Sequence, residues 1–246
     1  MNVPLQKGFI DDVLRLKEFV LIILDACRYD VFEEVYRDWF SGHLYKTWSS
    51  GSCTIEWLKN TFEGYYDLVY VSANGFVLSK RDAVTKDGIF SARQHFKKVV
   101  DVFLEDWDDK LGTVHPRDVN KRALENVYDR MIIHYIQPHF PAIGETKLLM
   151  NEMEIEKAVR EGKVSIETVK KAYRDNLRLV LDYVYALVMT LPHDRIFITS
   201  DHGEKYIGNH PCRSNEEELR LVPFFMVDFS CDADIVKDRL RRLGYW

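Results

Sequence analysis

Short apolar runs rich in β-branched residues alternate along the chain with stretches whose apolar positions recur every three or four residues. The runs at Phe19–Leu24, 68–71, 131–135, 195–199 and 221–227 each predict a strand, and 99–103 predicts a weaker one. The clearest helical pattern covers 166–191, where Tyr173, Leu177, Val180, Leu181, Val184, Leu187 and Val188 line one face. Ser165 can cap the start of this helix, and Pro192 marks its end. Strands alternating with helices predict an α/β fold with a mostly parallel central sheet covered by helices on both faces.

No repeat, low-complexity tract or linker divides the chain, so a single domain over residues 1–246 is expected. The charged segment 141–165 has a weaker helical pattern and is expected to form a lid beside the site. Its Met150 and Met153 read as packing residues.

Composition narrows the function. With 46% hydrophobic residues, the chain can bury a substantial core. A formal net charge of −5 provides no general attraction to nucleic acid or anionic lipid, so an anionic substrate needs a local positive feature. No stretch approaches the ~20 apolar residues that cross a bilayer. Residues 1–16 do not read as a signal peptide, and a cytoplasmic location is expected. Cys27, Cys53, Cys212 and Cys231 have neither CxxC nor zinc-ribbon spacing, and are read as reduced thiols.

The polar residues able to do chemistry gather where strands end, the edge at which open α/β sheets bind ligands. Asp25 directly follows the first run, and a carboxylate there needs a cation or donors. An ion pair between Arg28 and Asp25 or Asp30 is the simpler alternative. Gly51-Ser52-Cys53-Thr54 leads into a helical pattern, so Thr54 is either an N-cap or a hydroxyl placed where free N–H groups attract anions. His134 and His139 leave a strand in a proline-flanked turn and point to metal or phosphate binding. The strongest motif is Thr199-Ser200-Asp201-His202-Gly203-Glu204, followed by His210: carboxylate and imidazole donors suited to Zn²⁺ or Mn²⁺. Gly203 is expected to allow the tight turn that aims Asp201 and His202 at one ion. A Rossmann nucleotide site is disfavoured, because no Gly-x-Gly-x-x-Gly follows the first strand.

The order Asp25, Thr54, His134 and His139, Asp201-His202, His210, with Leu221-Val222-Pro223-Phe224-Phe225 after it, resembles the alkaline phosphatase superfamily. The pattern is that of its sulfatase-like branch, which contains phosphoethanolamine transferases and lipoteichoic acid synthases. The resemblance implies that Asp25, Thr54, Asp201 and His202 bind a first metal and that Thr54 is the nucleophile. It implies second-metal or phosphate-binding roles for His139 and His210, and contact with the transferred group for His134. Cys53-Thr54-Ile55-Glu56-Trp57 lacks the Cys-x-Pro-x-Arg of formylglycine sulfatases. Arg213, near His210, is either a substrate-anion ligand or a surface residue.

The function these residues imply is a hydrolase or phosphotransferase with one or two divalent ions, zinc foremost and manganese as the alternative. Its substrate would be a small-molecule, glycan or lipid-headgroup phosphate ester. A sulfate-ester hydrolase on the same site and a degenerate scaffold protein are the competing readings. Specificity is expected in the loops 73–98 and 141–165.

Overall fold

The computed structural model describes residues 3–208 and 210–229. Among them a seven-stranded sheet forms the centre. Its strands are β1 (Phe19–Leu24), β2 (Ser41–Trp48), β3 (Tyr66–Ser72), β4 (Phe96–Asp101), β5 (Arg130–Tyr135), β6 (Ile196–Ser200) and β7 (Leu221–Asp228). They lie in the order β2-β7-β6-β1-β5-β3-β4. The pairs β6–β1, β1–β5, β5–β3 and β3–β4 are parallel, while β6–β7 and β7–β2 are antiparallel. The mostly parallel α/β fold expected from the alternation is the fold observed.

All six residues of β1 are buried because the strand is covered on both faces. Successive side chains of a strand point to opposite sides. Val20, Ile22 and Leu24 thus enter one core with helices α2 (Tyr29–Val35), α4 (Pro116–Glu125) and α6 (Ile166–Val188). Phe19, Leu21 and Ile23 enter another with α1 (Gln6–Leu14) and α3 (Thr54–Thr61). Ser165 caps α6 as expected, accepting from the Thr168 N–H at 3.1 Å. One buried polar side chain ties α1, α3 and β6 together. Gln6 donates to Thr199 Oγ1 at 2.8 Å and to the Ser200 carbonyl, and accepts from Trp57 Nε1 at 2.9 Å.

Two expectations change. Strand β2 was not apparent in the pattern, because it is an edge strand with only Thr47 fully buried and so shows no apolar alternation. Cys53 and Cys212 are not reduced thiols but form a disulfide across 159 residues of sequence, with Cα atoms 5.1 Å apart. Cys27 is free and buried, and Cys231 lies outside the described residues. Among the described residues, no helix is long and apolar enough to cross a membrane.

The disulfide joins the residue before Thr54 to the loop that carries His210. Because it closes a long loop, Cys212→Ser should lower unfolding stability by about 2–4 kcal/mol. A urea midpoint shifted to this extent in C212S, matched in wild type only under reductant, is the expected result.

Candidate active site

Strand register brings the chemistry-bearing residues to one level. Leu24 pairs with Ser200 on one side and Tyr135 on the other, and Ser72 pairs with His134. Asp25, Asn74, His139 and Asp201-His202 therefore leave a single sheet edge. Ala26, which follows Asp25, has φ 55°, a conformation non-glycine residues seldom adopt. It is held there by its N–H to Asp201 Oδ1 at 3.0 Å and by the Tyr173 hydroxyl on its carbonyl at 2.7 Å. Gly203 is required for close approach rather than for a left-handed turn: a Cβ there would collide with the Glu218 carbonyl oxygen.

Thr54 is the first residue of α3, and Cys53 occupies the cap position. The Thr54 hydroxyl caps nothing. It donates to Asp201 Oδ2 at 2.7 Å and stands 3.3 Å from His202 Nε2. His202 Nε2 lies 3.7 Å from Asp25 Oδ1 and 3.5 Å from Asp201 Oδ2. Tetrahedral zinc with arms of about 2.0–2.2 Å has edges of about 3.3–3.6 Å, which the spacings of His202 from Thr54 and Asp201 match, and Asp25, His134 and Asp201 bring ligand atoms within 4.8 Å of one another. Arg28 forms a two-pronged pair with Asp30, not Asp25. Asp25 Oδ2 instead accepts from the Asn74 amide at 2.6 Å, and Asp25 Oδ1 is buried without a hydrogen-bond partner.

The second cluster is larger than expected. His139, Glu152, Glu204 and His210 bring ligand atoms within 4.8 Å of one another. His139 Nε2 meets Glu152 Oε1 at 2.6 Å, His210 Nδ1 meets the same oxygen at 3.3 Å, and His210 Nε2 contacts Glu204 Oε1. Glu204 is fully buried, and its Oε2 has no hydrogen-bond partner. Orphaned buried carboxylate oxygens are costly without a cation, and each cluster contains one. The imidazoles fit as well. Nδ1 of His202 bonds the Gly203 carbonyl at 2.7 Å and Nδ1 of His139 bonds the Phe140 carbonyl at 2.6 Å, leaving each Nε2 to serve as a donor atom. Both clusters therefore suit divalent ions.

Glu152 and Glu204 were not singled out in the sequence. Glu204 stands inside the motif but looks like one charged residue among many. Glu152 begins helix α5 (Glu152–Arg160). Its only local signal is the Asn151/Glu154 capping box that fixes the helix start and so aims Glu152 at the cluster.

Electrostatics agree with this arrangement. Burial, together with the neighbouring Asp201 carboxylate, pushes the Asp25 carboxyl up to about 7 against the opposing pull of His139, His202 and Asn74. Burial opposes ionisation of Asp201 too, but His202, His134, the Thr54 hydroxyl and the Ala26 N–H hold it below the usual carboxylate range. Burial penalises the Glu152 carboxylate, yet its hydrogen bond to His139 and the surrounding histidines bring it down to about 2. Burial lowers His134 to about 4 against the opposing pull of Asp201.

His134 is fully buried and does not line the cavity described below. Its Nδ1 is paired with the Tyr70 hydroxyl at 2.9 Å, and its Nε2 lies 4.0 Å from Asp25 Oδ2. Arg213 has an exposed side chain outside the cavity lining and contributes its main-chain N–H to Glu56 at 2.9 Å. Glu56 also accepts from the Ser52 N–H and hydroxyl, so it joins the turn before Thr54 to the His210 loop.

A cavity of about 630 Å³ opens on Thr54, Asp25, His139, Glu152, His202 and His210. The predicted lid segment contributes Pro141 and Glu152 to its wall, and the loop 73–98 contributes Asn74, Phe76 and Arg81.

No protein-family model and no curated protein sequence matches the chain. Solved structures do. The phosphonate monoester hydrolase of Agrobacterium radiobacter superposes with a TM-score of 0.51 at 12% identity, over 93% of this chain and 74% of its own. The phosphonate monoester hydrolase SpPMH of Silicibacter pomeroyi gives 0.50 at 13% identity, over 93% and 73%. A protein in the alkaline phosphatase superfamily from Vibrio parahaemolyticus gives 0.49 at 9%, over 87% of this chain and 60% of its own length. The seven-stranded sheet, with its polar residues gathered at one edge, shares its fold with these two phosphonate monoester hydrolases.

Proposed function

We propose that the chain is a metal-dependent phosphoester hydrolase or phosphotransferase working through a covalent phospho-Thr54. The observation that carries this reading is the position of the Thr54 hydroxyl. It stands at a helix N-terminus, 2.7 Å from the Asp201 carboxylate and 3.3 Å from His202, and faces the cavity.

Asp25, Thr54, Asp201 and His202 would hold one divalent ion, with the buried His134 on the same side. His139, Glu152, Glu204 and His210 would hold a second. Such ions supply positive charge that favours the ionised threonine oxygen and offsets charge on the transferred group and leaving oxygen. The protein's own part is positional. Asp201 takes the hydroxyl hydrogen bond and aims the oxygen into the cavity. The N-terminus of α3 presents N–H groups toward the equatorial oxygens of a phosphoryl group in line with Thr54. Attack forms the Thr54 Oγ1–P bond as the bond from phosphorus to the leaving alcohol breaks. Water or a second alcohol then takes the phosphoryl group and restores the hydroxyl.

Metal-stripped protein reloaded with Zn²⁺ or Mn²⁺ and offered phosphomonoesters, phosphodiesters and sulfate esters tests the proposal. Turnover of a phosphate ester, lost with chelator and regained with metal, is expected. Turnover of sulfate esters alone, or of no ester by protein that has bound two ions, would refute it.

A further inference from the structure

The cavity is far larger than a phosphoryl group needs. At about 630 Å³ it falls within the range that holds a whole small-molecule ligand, so the wall beyond the candidate metal ligands is left to meet the alcohol portion of the ester. That wall has three features. The first is an aromatic pair: Phe103 and Trp107 have ring centroids 5.0 Å apart with planes tilted by 60°, and Trp107 is 41% exposed. Gly75 lets the Phe103 ring settle, since a Cβ there would stand 3.1 Å from it. The second is Arg81, the only lysine or arginine among the described residues lining the cavity. Among the described residues, no ion pair or hydrogen bond engages its side chain, although surface arginines elsewhere, such as Arg93 with Asp82, do find carboxylates. The third is Asp87, carried with Arg81 on the loop 73–98. Asp87 also lines the cavity, and among the described residues its carboxylate likewise has no partner, Lys59 reaching only its main-chain carbonyl at 3.3 Å.

A cation and a carboxylate unpaired among the described residues, lining one cavity with the Phe103–Trp107 pair, form a binding surface rather than a structural pair. Flat aromatic faces accept the C–H face of a ring. A free carboxylate accepts hydroxyl hydrogens, and a guanidinium takes a carboxylate or phosphate in two-pronged fashion. We propose that the alcohol half of the substrate is an acidic sugar: a ring seated on Phe103 and Trp107, its hydroxyls on Asp87, its second negative charge on Arg81. This rests on the phosphoester reading of Thr54, whose metal and nucleophile groups line the same cavity. A simple aryl alcohol would leave Asp87 unmet, and an uncharged sugar would leave Arg81 unmet.

The test uses metal-loaded protein and four probes: glucuronate 1-phosphate, glucose 1-phosphate, phenyl phosphate and glycerol 1-phosphate. Wild type should favour glucuronate 1-phosphate over glucose 1-phosphate by at least about tenfold in kcat/KM, the scale of one charge-assisted contact. Arg81→Gln should bring that ratio close to one. Trp107→Ala should lower kcat/KM for both sugar esters relative to glycerol 1-phosphate. Calorimetric binding of the two sugar phosphates to Thr54→Val protein, with and without Arg81→Gln, reads the same preference without turnover. If wild type turns over esters yet the ratio is near one, survives in R81Q, or phenyl phosphate matches glucuronate 1-phosphate, the acidic-sugar assignment falls while the phosphoester reading stands. If no ester is turned over but binding keeps the Arg81-dependent preference, the subsite stands and the assigned chemistry falls.

Discussion

Thr54→Val should abolish turnover, by several orders of magnitude, in a protein whose fold stays close to wild type. Thr54 is 5% exposed, and among the described residues the hydrogen-bonding neighbours of its hydroxyl are Asp201 and His202, so removing it takes no structural bond from the helix. Cys53, not Thr54, holds the cap position, and the expected loss of stability is therefore below the ~0.5–2 kcal/mol of a helix cap. The kinetic loss is large because water would have to attack without the oxygen that the protein orients. Thr54→Ser keeps that oxygen and should retain measurable activity. Wild-type protein quenched in acid during turnover should carry one phosphate on Thr54 by mass spectrometry. Full activity in Thr54→Val would place the nucleophile elsewhere.

Asp25→Asn should separate stability from function in opposite directions. In metal-free protein two buried carboxylates, Asp25 and Asp201, face each other, and burial with that neighbour lifts Asp25 to about 7. A carboxyl whose folded value is raised favours the folded state while protonated. That stability is present below the ordinary value near 3.8 and is lost as pH rises through about 7. Asparagine keeps the shape and the reach to Asn74 but has no charge to desolvate. Metal-free Asp25→Asn should therefore be more stable than metal-free wild type at pH 8, by roughly 2–4 kcal/mol, with the difference vanishing near pH 4. Added Zn²⁺ should raise the Tm of wild type strongly and that of the variant weakly, because the ion stabilises only the state that binds it. A metal-free variant less stable than wild type at pH 8 would show that the carboxylate pair does not oppose folding.

What could be read from the chain and what could not follow a physical division. Strand β1 is six apolar residues in a row and begins and ends where expected, because a strand buried on both faces must be apolar throughout. Helix α6 has its expected start and its core-facing stripe. Strand β2 escaped notice because an exposed edge does not constrain its side chains. The reduced-thiol reading of Cys53 and Cys212 failed for a different reason. A disulfide spanning 159 residues depends on a Cα–Cα approach that spacing does not encode.

The candidate site divides in the same way. Asp25, His134, Asp201 and His202 were visible because each stands in or directly after a buried strand, where a polar residue is conspicuous against its apolar neighbours. Glu152 lies in a segment full of charge, and only the packing of α5 beside His139 and His210 distinguishes it from Glu145 or Glu156. Arg213 is close to His210 in sequence and directs its side chain away from the cavity lining, whereas Arg81, 129 positions before His210, lines it. Residue order along the chain specified the fold class, the strand-end placement of the reactive groups and the donor types, since periodicity and burial act within a single element. The pairing of carboxylates with histidines, the disulfide and the shape of the outer cavity arose only from tertiary structure. Each depends on contacts between segments far apart in sequence, whose approach leaves no local pattern.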